Sequence, residues 1–378
     1  MKTTWQYFDF LLLGAVAILT IFGIALIRSA VAENVELLGA PQRQVIFAVM
    51  GFGFVFLTAS IDYHTWSSIS GTLYIGMVGV LIALNVIAQA VFGSARWFRT
   101  ALVNIQPSEL AKVIIILVLA DFFTRHYHRM VDFRWVLRSL LLTLGIVIWV
   151  VLQPNLSTSI LLMVLWFSLW WASGARLRHM AYFILGGAIL LAIAIPSLPF
   201  LVDKKVIRVY QLERINNFLK PTGGEGEDEA RYGDQYNIEQ ALIAIGDGGL
   251  IGRGLGQGSQ VQLRYLKVRW SDFIFATMAE EFGFIGTAAF MLLVAFVILR
   301  CLRAARIARD TYGGLICYGV ATLIAFQAMV NMGVNLKLLP ATGLPLPFIS
   351  YGGSSLFTLL LGVGLVESVV LRHKILEF

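Results

Sequence analysis

The sequence is short of charge. Asp, Glu, Lys and Arg make up 13% of its 378 residues, about half of what a soluble chain of this size carries. Cysteine is almost absent. Cys301 and Cys317 both lie in or beside apolar stretches, so neither a disulfide framework nor a thiolate metal cluster is available. The five histidines include no H-x-x-x-H pair within a predicted helix, and no other metal-binding cluster is visible. The first apolar stretch is expected to be a retained helix rather than a secretory signal. A run of seven glycines between positions 246 and 258 has no strand before it and no G-K-[ST] after it. That excludes a nucleotide-binding loop and leaves tight turns, or close approach of backbone to a ligand, as the use of the glycines.

What is present is long apolar sequence. The chain is 58% hydrophobic with a mean hydropathy of +0.79. Apolar runs of about 20 residues recur, each enough to cross roughly 30 Å of hydrocarbon. An open sheet cannot span lipid, so the expected fold is all-α: a polytopic membrane helix bundle of about ten transmembrane helices forming one membrane domain over 1–378. The spans are expected near 8–27, 45–61, 71–91, 109–125, 135–153, 155–174, 179–198, 273–300, 312–334 and 352–371.

Basic residues orient the bundle. With the N-terminus cytoplasmic, the cytoplasmic segments hold Lys2, Arg125, Arg129, Arg134, Arg138, Arg176, Arg178, Arg300, Arg303, Arg306, Arg309, Arg372 and Lys374. The short outer loops hold only Arg28, Arg43, Arg96, Arg99 and Lys337. Both termini are therefore expected in the cytoplasm. The net charge of +7 is mostly this anchoring pattern, with anionic membrane lipids as its partner and no call for nucleic acid.

One large extracytoplasmic loop, 199–271, is expected. It opens on an amphipathic stretch, "VDKKVIRVYQLERINNFLKP", and continues through an acidic, glycine-rich linker. A short helix then precedes the glycine run. Three further polar islands lie on the outer side: "GSARWFRTALVNIQPSELAK", "RWSDFIFATMAEEFGFIG" and "NMGVNLKLLPATGLPLPFISYGGSSL". The last reads as an outer loop with three prolines, rigid and re-entrant. An ionisable group in or near a bilayer is by default a functional hypothesis, but each has a plainer alternative. Asp272 could be a helix N-cap. Glu109 and Lys112, three apart on one helix face, could be a structural ion pair. One of Glu280 and Glu281 is expected to pack inward and be hydrogen-bonded.

Four segments, "QPSELAK", "LIAIGDGGLIGRGLGQGSQ", "SDFIFATMAEEFGFIG" and "PLPFISYGGSSL", resemble in order the signatures of the SEDS family, the RodA/FtsW/SpoVE group. The resemblance covers essentially the whole chain. The absence of long cytoplasmic tails is more like the elongation branch, RodA, than the division branch, FtsW. The resemblance implies a bacterial plasma-membrane peptidoglycan glycosyltransferase that polymerises lipid II and works with a class B penicillin-binding protein as transpeptidase. It implies Asp272 as the essential carboxylate. Arg96, Glu109, Lys112, Arg214, Gln240 and Gln260 match conserved polar positions for substrate binding, with Asn155, Glu280, Glu281 and Ser350 in supporting places. The chain departs from the family pattern in three ways, one of them at Lys267 and Val268, which replace a more usual Pro-Glu pair. "QPNLST" replaces the usual "QPDLGT", so Asn155 stands where a carboxylate is usual, and Lys112 must lean on Glu109, Asp272 or a substrate phosphate. Trp270 and Ser271 replace a His-Thr pair before the aspartate.

On that reading the acceptor's 4-hydroxyl attacks the donor's C1 and undecaprenyl diphosphate leaves, with inversion. Asp272 would take the hydroxyl proton as general base, worth about 10²–10⁴-fold. Lys112, Arg96 and Arg214 would face the diphosphate. A divalent cation, Mg2+ or Mn2+, could assist, held partly by substrate phosphates. Two other classes remain: a lipid II flippase, which needs a polar path through the bilayer, and a scaffold that only recruits the penicillin-binding protein.

Overall fold

The structure, a computed structural model, describes residues 5–31, 37–92, 98–99, 104–129, 132–153, 155–187, 189, 192, 234–263 and 265–374. Its helices are α1 (Phe10–Val31), α2 (Ala40–Ser60), α3 (Tyr63–Ser68), α4 (Ser70–Phe92), α5 (Pro107–Arg125), α6 (Phe133–Leu152) and α7 (Leu156–Ala172). Residues 177–187 form α8. After them come α9 (Asp234–Gly248), α10 (Ile274–Ile307), α11 (Thr311–Asn335) and α12 (Gly353–Leu371). Two short strands, Phe98–Arg99 and Asn104–Ile105, pair antiparallel. Each expected span contains helix, the seventh only over 177–187 among the described residues. Arg96, Arg214 and the amphipathic and acidic parts of the large loop lie outside them.

Six of these helices are long and apolar enough to cross a membrane: α1, α2, α6, α10, α11 and α12; α4 and α7 hold shorter apolar stretches. The exposed faces are apolar, with Ile21, Val49 and Leu292 each about 70% exposed (68%, 68% and 71%). Such continuous apolar surface is unusual in water and expected in lipid. α12 is enclosed nearly throughout, from Ser354 to Leu371, and packs along α2 and α11. α5, which carries Glu109 and Lys112, is ringed by α4, α7, α11 and α12.

Successive helices define two ends of the bundle. At one end aspartates start the helices, as the unbonded amides of a first turn require. Asp9 accepts from Leu12 N, Asp132 from Arg134 N and Asp310 from Gly313 N. That end is cross-tied by charge. Arg300 bonds Asp9 at 2.7 Å, Glu367 accepts from Asp9 N, and His64 sits between Asp62 and Asp310 at 2.9 and 2.7 Å. The opposite end holds the starts of α2, α5, α7 and α12 and the described parts of the three polar islands.

The largest departure from expectation is in α10. Its 34 residues would be about 51 Å long if continuous. It is two helices, broken at Gly283, whose φ of 64° and ψ of −170° are not helical. In an unbroken helix Phe284 N and Ile285 N would bond the carbonyls of Glu280 and Glu281. Here they donate instead to Gly249 O and Leu250 O at 2.8 and 3.1 Å. The two vacated carbonyls accept from Arg253 N and Gly254 N, each at 2.9 Å. The glycine run thus splices into the helix and satisfies both sides of the break. The expected crossing at 273–300 is corrected accordingly. The second piece, 284–307, is about 36 Å long and spans hydrocarbon alone. The first piece is buried from Ile274 to Glu281.

The splice explains the glycines. A Cβ on Gly283 would overlap the Gly252 backbone, and one on Gly252 would overlap the carbonyl of Glu281. The close approach is to this chain's own backbone rather than to a ligand. Gly252→Ala is expected to lower the thermal midpoint and folded yield markedly. Its φ of +91° alone costs an alanine about 1–3 kcal/mol. Gly76→Ala, on a helix face with nothing within 4 Å, should leave both unchanged. Thermal unfolding of the two purified variants checks this.

Candidate active site

Asp272 lies in a turn that runs into α10. Phe273 takes the N-cap position and offers no side-chain cap, so the capping alternative for Asp272 does not hold. Its carboxylate accepts from Ser271 Oγ at 3.1 Å and lies over Gly343, whose Cβ position would be 3.5 Å from Oδ2. The backbone around it is held tightly. Ser350 Oγ donates to Ser271 O at 2.7 Å and Tyr351 N to Trp270 O at 2.9 Å. Asn331 and Asn335 on α11 both donate to Asp272 O, at 3.0 and 3.1 Å. Two non-glycine residues in the left-handed region flank the site, Val268 (φ 54°) and Phe348 (φ 65°). For side chains of that kind this is stored strain, held by the surrounding bonds.

The segment 336–352 connects the islands. Its Thr342 carbonyl accepts from Ser157 Oγ at the start of α7. Asn155 caps α7 through Thr158 N at 3.3 Å and donates to Ser108 Oγ on α5 at 3.3 Å. One turn along α5, Lys112 Nζ donates to Glu109 Oε1 at 2.7 Å, the two side chains being 1% and 7% exposed. Lys112 therefore leans on Glu109, one of the partners its context left open. Glu109 Oε2 has no hydrogen-bond partner among the described residues. α5, α7, the 342–343 turn and Asp272 thus form one connected end of the bundle. The expected outer loop from 331 is corrected in part: Asn331–Asn335 is still helix, and the non-helical element is 336–352.

Both Glu280 and Glu281 are buried, not one of them. Glu280 Oε1 accepts from Gln260 N at 2.7 Å, and Glu281 Oε1 accepts from Gly256 N at 3.2 Å and from Ser29 Oγ. They answer the loop's backbone amides, which makes them anchors for the glycine segment. The Gln260 side chain has a buried Oε1 with no partner among the described residues. Gln240 is half-buried on α9 and makes no side-chain hydrogen bond among the described residues. At the loop's outer edge, hydrogen bonds from Arg253 hold the Asp247 carboxyl below its ordinary range. Arg269 is buried, its Nε on Ala30 O at 2.6 Å.

Three residues that matter here escaped the sequence reading. Asn331 and Asn335 are four apart on one helix face, a readable signal in "VNMGVN" that was absorbed into a loop. Gln44, buried on α2, bonds Ser350 O and Gly352 N at 3.3 Å each. In "PQRQ", just before an expected span, nothing in the sequence sets it apart from its polar neighbours.

A bundle of this form with a carboxylate-bearing loop at one end defines a class of polytopic membrane protein. The FtsW, RodA and SpoVE profile, described as a cell cycle protein, matches residues 6–375, and the chain belongs to that family. It is 34% identical over 381 residues to a probable peptidoglycan glycosyltransferase FtsW of Hydrogenovibrio crunogenus, covering 98% of this chain and 93% of that one. It is also 34% identical to the stage V sporulation protein E of Bacillus subtilis, covering 87% and 86%. Among solved structures, a chain of a peptidoglycan synthase complex that coordinates polymerization and crosslinking matches with a TM-score of 0.77 at 27% identity, covering 97% and 98%. The rod shape determining protein RodA of Thermus thermophilus matches at 0.68 and 26%, covering 97% of each chain.

The enclosed ion pair makes a clear prediction. Lys112→Met leaves Glu109 a buried, unpaired carboxylate and should cost about 3–5 kcal/mol. Adding Glu109→Gln should recover much of that loss. Thermal unfolding of the single and double variants measures it.

Proposed function

We propose that the chain polymerises lipid II into glycan strands, with Asp272 as general base and undecaprenyl diphosphate as leaving group. Its class, peptidoglycan glycosyltransferase, is that of the curated relatives that align with it nearly end to end. The observation that carries the finer reading is Asp272 itself. It is a carboxylate at the polar end of the bundle, spared from capping and held through its backbone. A hydroxyl is a poor nucleophile at neutral pH, and a fixed carboxylate that takes its proton as the C–O bond forms lowers that barrier. The acceptor's 4-hydroxyl attacks C1 of the α-linked donor, the C1–O bond to the diphosphate breaks, and a β-1,4 bond results. Apolar walls between the helices suit the prenyl chain.

Lys112 is paired and enclosed, which suits holding α5 in place better than reaching an incoming diphosphate. The cations for that charge are then Arg96 and Arg214, with a divalent cation carried in by the diphosphate as a further source. No cluster suited to a resident metal forms among the described residues. The full-length relatives named FtsW favour the division-type polymerase over the elongation-specific reading drawn from the short tails. A class B penicillin-binding protein would crosslink the product. The peptidoglycan synthase complex among the similar structures supports that partner.

The membrane is the bacterial plasma membrane, with both termini and the Arg300–Arg309 end cytoplasmic and the Asp272 end outside. Single cysteines introduced at Leu263 and Arg306 should differ toward an impermeant thiol reagent in intact cells, with 263 labelled and 306 protected. The reverse pattern would overturn the orientation. For the chemistry, Asp272→Asn keeps size and removes the proton acceptor. The purified variant should stay monodisperse and bind its partner, while glycan formation from lipid II falls about 10²–10⁴-fold. Turnover near that of the unaltered protein would sink the base assignment.

A further inference from the structure

α11 ends in carboxamides spaced four apart, Gln327, Asn331 and Asn335, which share one helix face. The last two direct three of their four side-chain N–H donors to the segments around Asp272 or to the carbonyl of Asp272 itself. Asn331 Nδ2 donates to Asp272 O at 3.0 Å and to Leu344 O at 2.9 Å. Asn335 Nδ2 donates to Asp272 O at 3.1 Å and to Asn331 O at 2.8 Å, and its Oδ1 accepts from Ala276 N at 3.1 Å. Both asparagines are buried, at 1% and 0% exposure.

Two consequences follow from that geometry. Ala276 N is one of the amides that a helix start leaves without a partner, and Phe273 supplies no side-chain cap. Asn335 caps α10 from another helix, so the job that an aspartate in this position would ordinarily do is already done. In addition, the carbonyl of residue 272 carries two donors, so the residue is held through its main chain by α11.

We propose that Asn331 and Asn335 are positioning residues for glycosyl transfer, acting through the backbone of Asp272, an inference that rests on Asp272 being the general base. A catalytic group displaced by about 1 Å can lose 10²-fold in rate. Loosening the clamp should therefore lower kcat more than it raises KM.

The test is a double-mutant cycle on the purified full chain with lipid II as substrate, read as glycan formed. Asn331→Ala should lower kcat about 10- to 100-fold with KM changed less than about threefold. In the Asp272→Asn background, where no base remains to be positioned, the same substitution should change the residual rate less than about twofold, because residues acting as one unit are not additive. An equal loss in both backgrounds would overturn the inference and leave Asn331 as a general support of the fold. Asn335→Ala, which keeps both Asn331 bonds, enters the same cycle if Asn331→Ala is not recovered folded. If Asp272→Asn alone retains full turnover, the base assignment fails and the positioning role falls with it. If Asp272→Asn is inactive and the cycle is additive, only the positioning role falls.

Discussion

Every backbone amide and carbonyl at bilayer depth needs a partner, because no water is there to supply one. This chain interrupts its helices where its chemistry is expected, and the rest of that end of the molecule is arranged to satisfy the interruption. At Gly283 the glycine loop gives back the two hydrogen bonds that the break in α10 removes, and takes the two carbonyls it frees. At the start of α10 an asparagine from α11 caps the first turn. Along 346–352, Gln44, Ser350 and Tyr351 bond the non-helical strap to α2 and to the Asp272 turn. Glu280 and Glu281 extend the same logic by accepting from loop amides. The expense of burying two adjacent carboxylates is offset by anchoring the segment that the splice requires.

Much of this was legible in the sequence. The spans follow from apolar length, and the positions of the three polar islands follow from where charge survives between them. The Glu109–Lys112 pair was readable from its i,i+3 spacing. The break in α10 was not readable, because "EEFGFIG" continues an apolar helical run and only the distant loop makes a non-helical Gly283 favourable. The glycine run posed the converse difficulty. Its lack of a nucleotide-binding context could be seen, but its partner is backbone, which leaves no side-chain signature. The role of Asn155 was half visible. The loss of a carboxylate was plain, while its use as the α7 cap and as a tie to Ser108 required the fold.

The two ends of the bundle divide the labour. The end rich in arginine is locked by ion pairs such as Arg300–Asp9 and by Asp310, which accepts from Tyr63, His64 and Gly313. The other end adds backbone and carboxamide bonds around Asp272 to its buried Lys112–Glu109 pair and to the Glu280 and Glu281 anchors. That contrast suits a rigid foundation beneath the site. It also agrees with a protein that handles a substrate anchored in one leaflet rather than one that carries it across.

The most direct measurement is a structure of the protein bound to an unreactive lipid II analogue. With Asp272 as general base, the acceptor hydroxyl should lie about 2.6–3.2 Å from its carboxylate, directly or through one water. The diphosphate should lie toward α5, and the prenyl chain should run between helices at the same end. A sugar bound at the Arg300–Asp310 end, or one at the Asp272 end with its hydroxyl beyond reach of that carboxylate, would contradict that assignment.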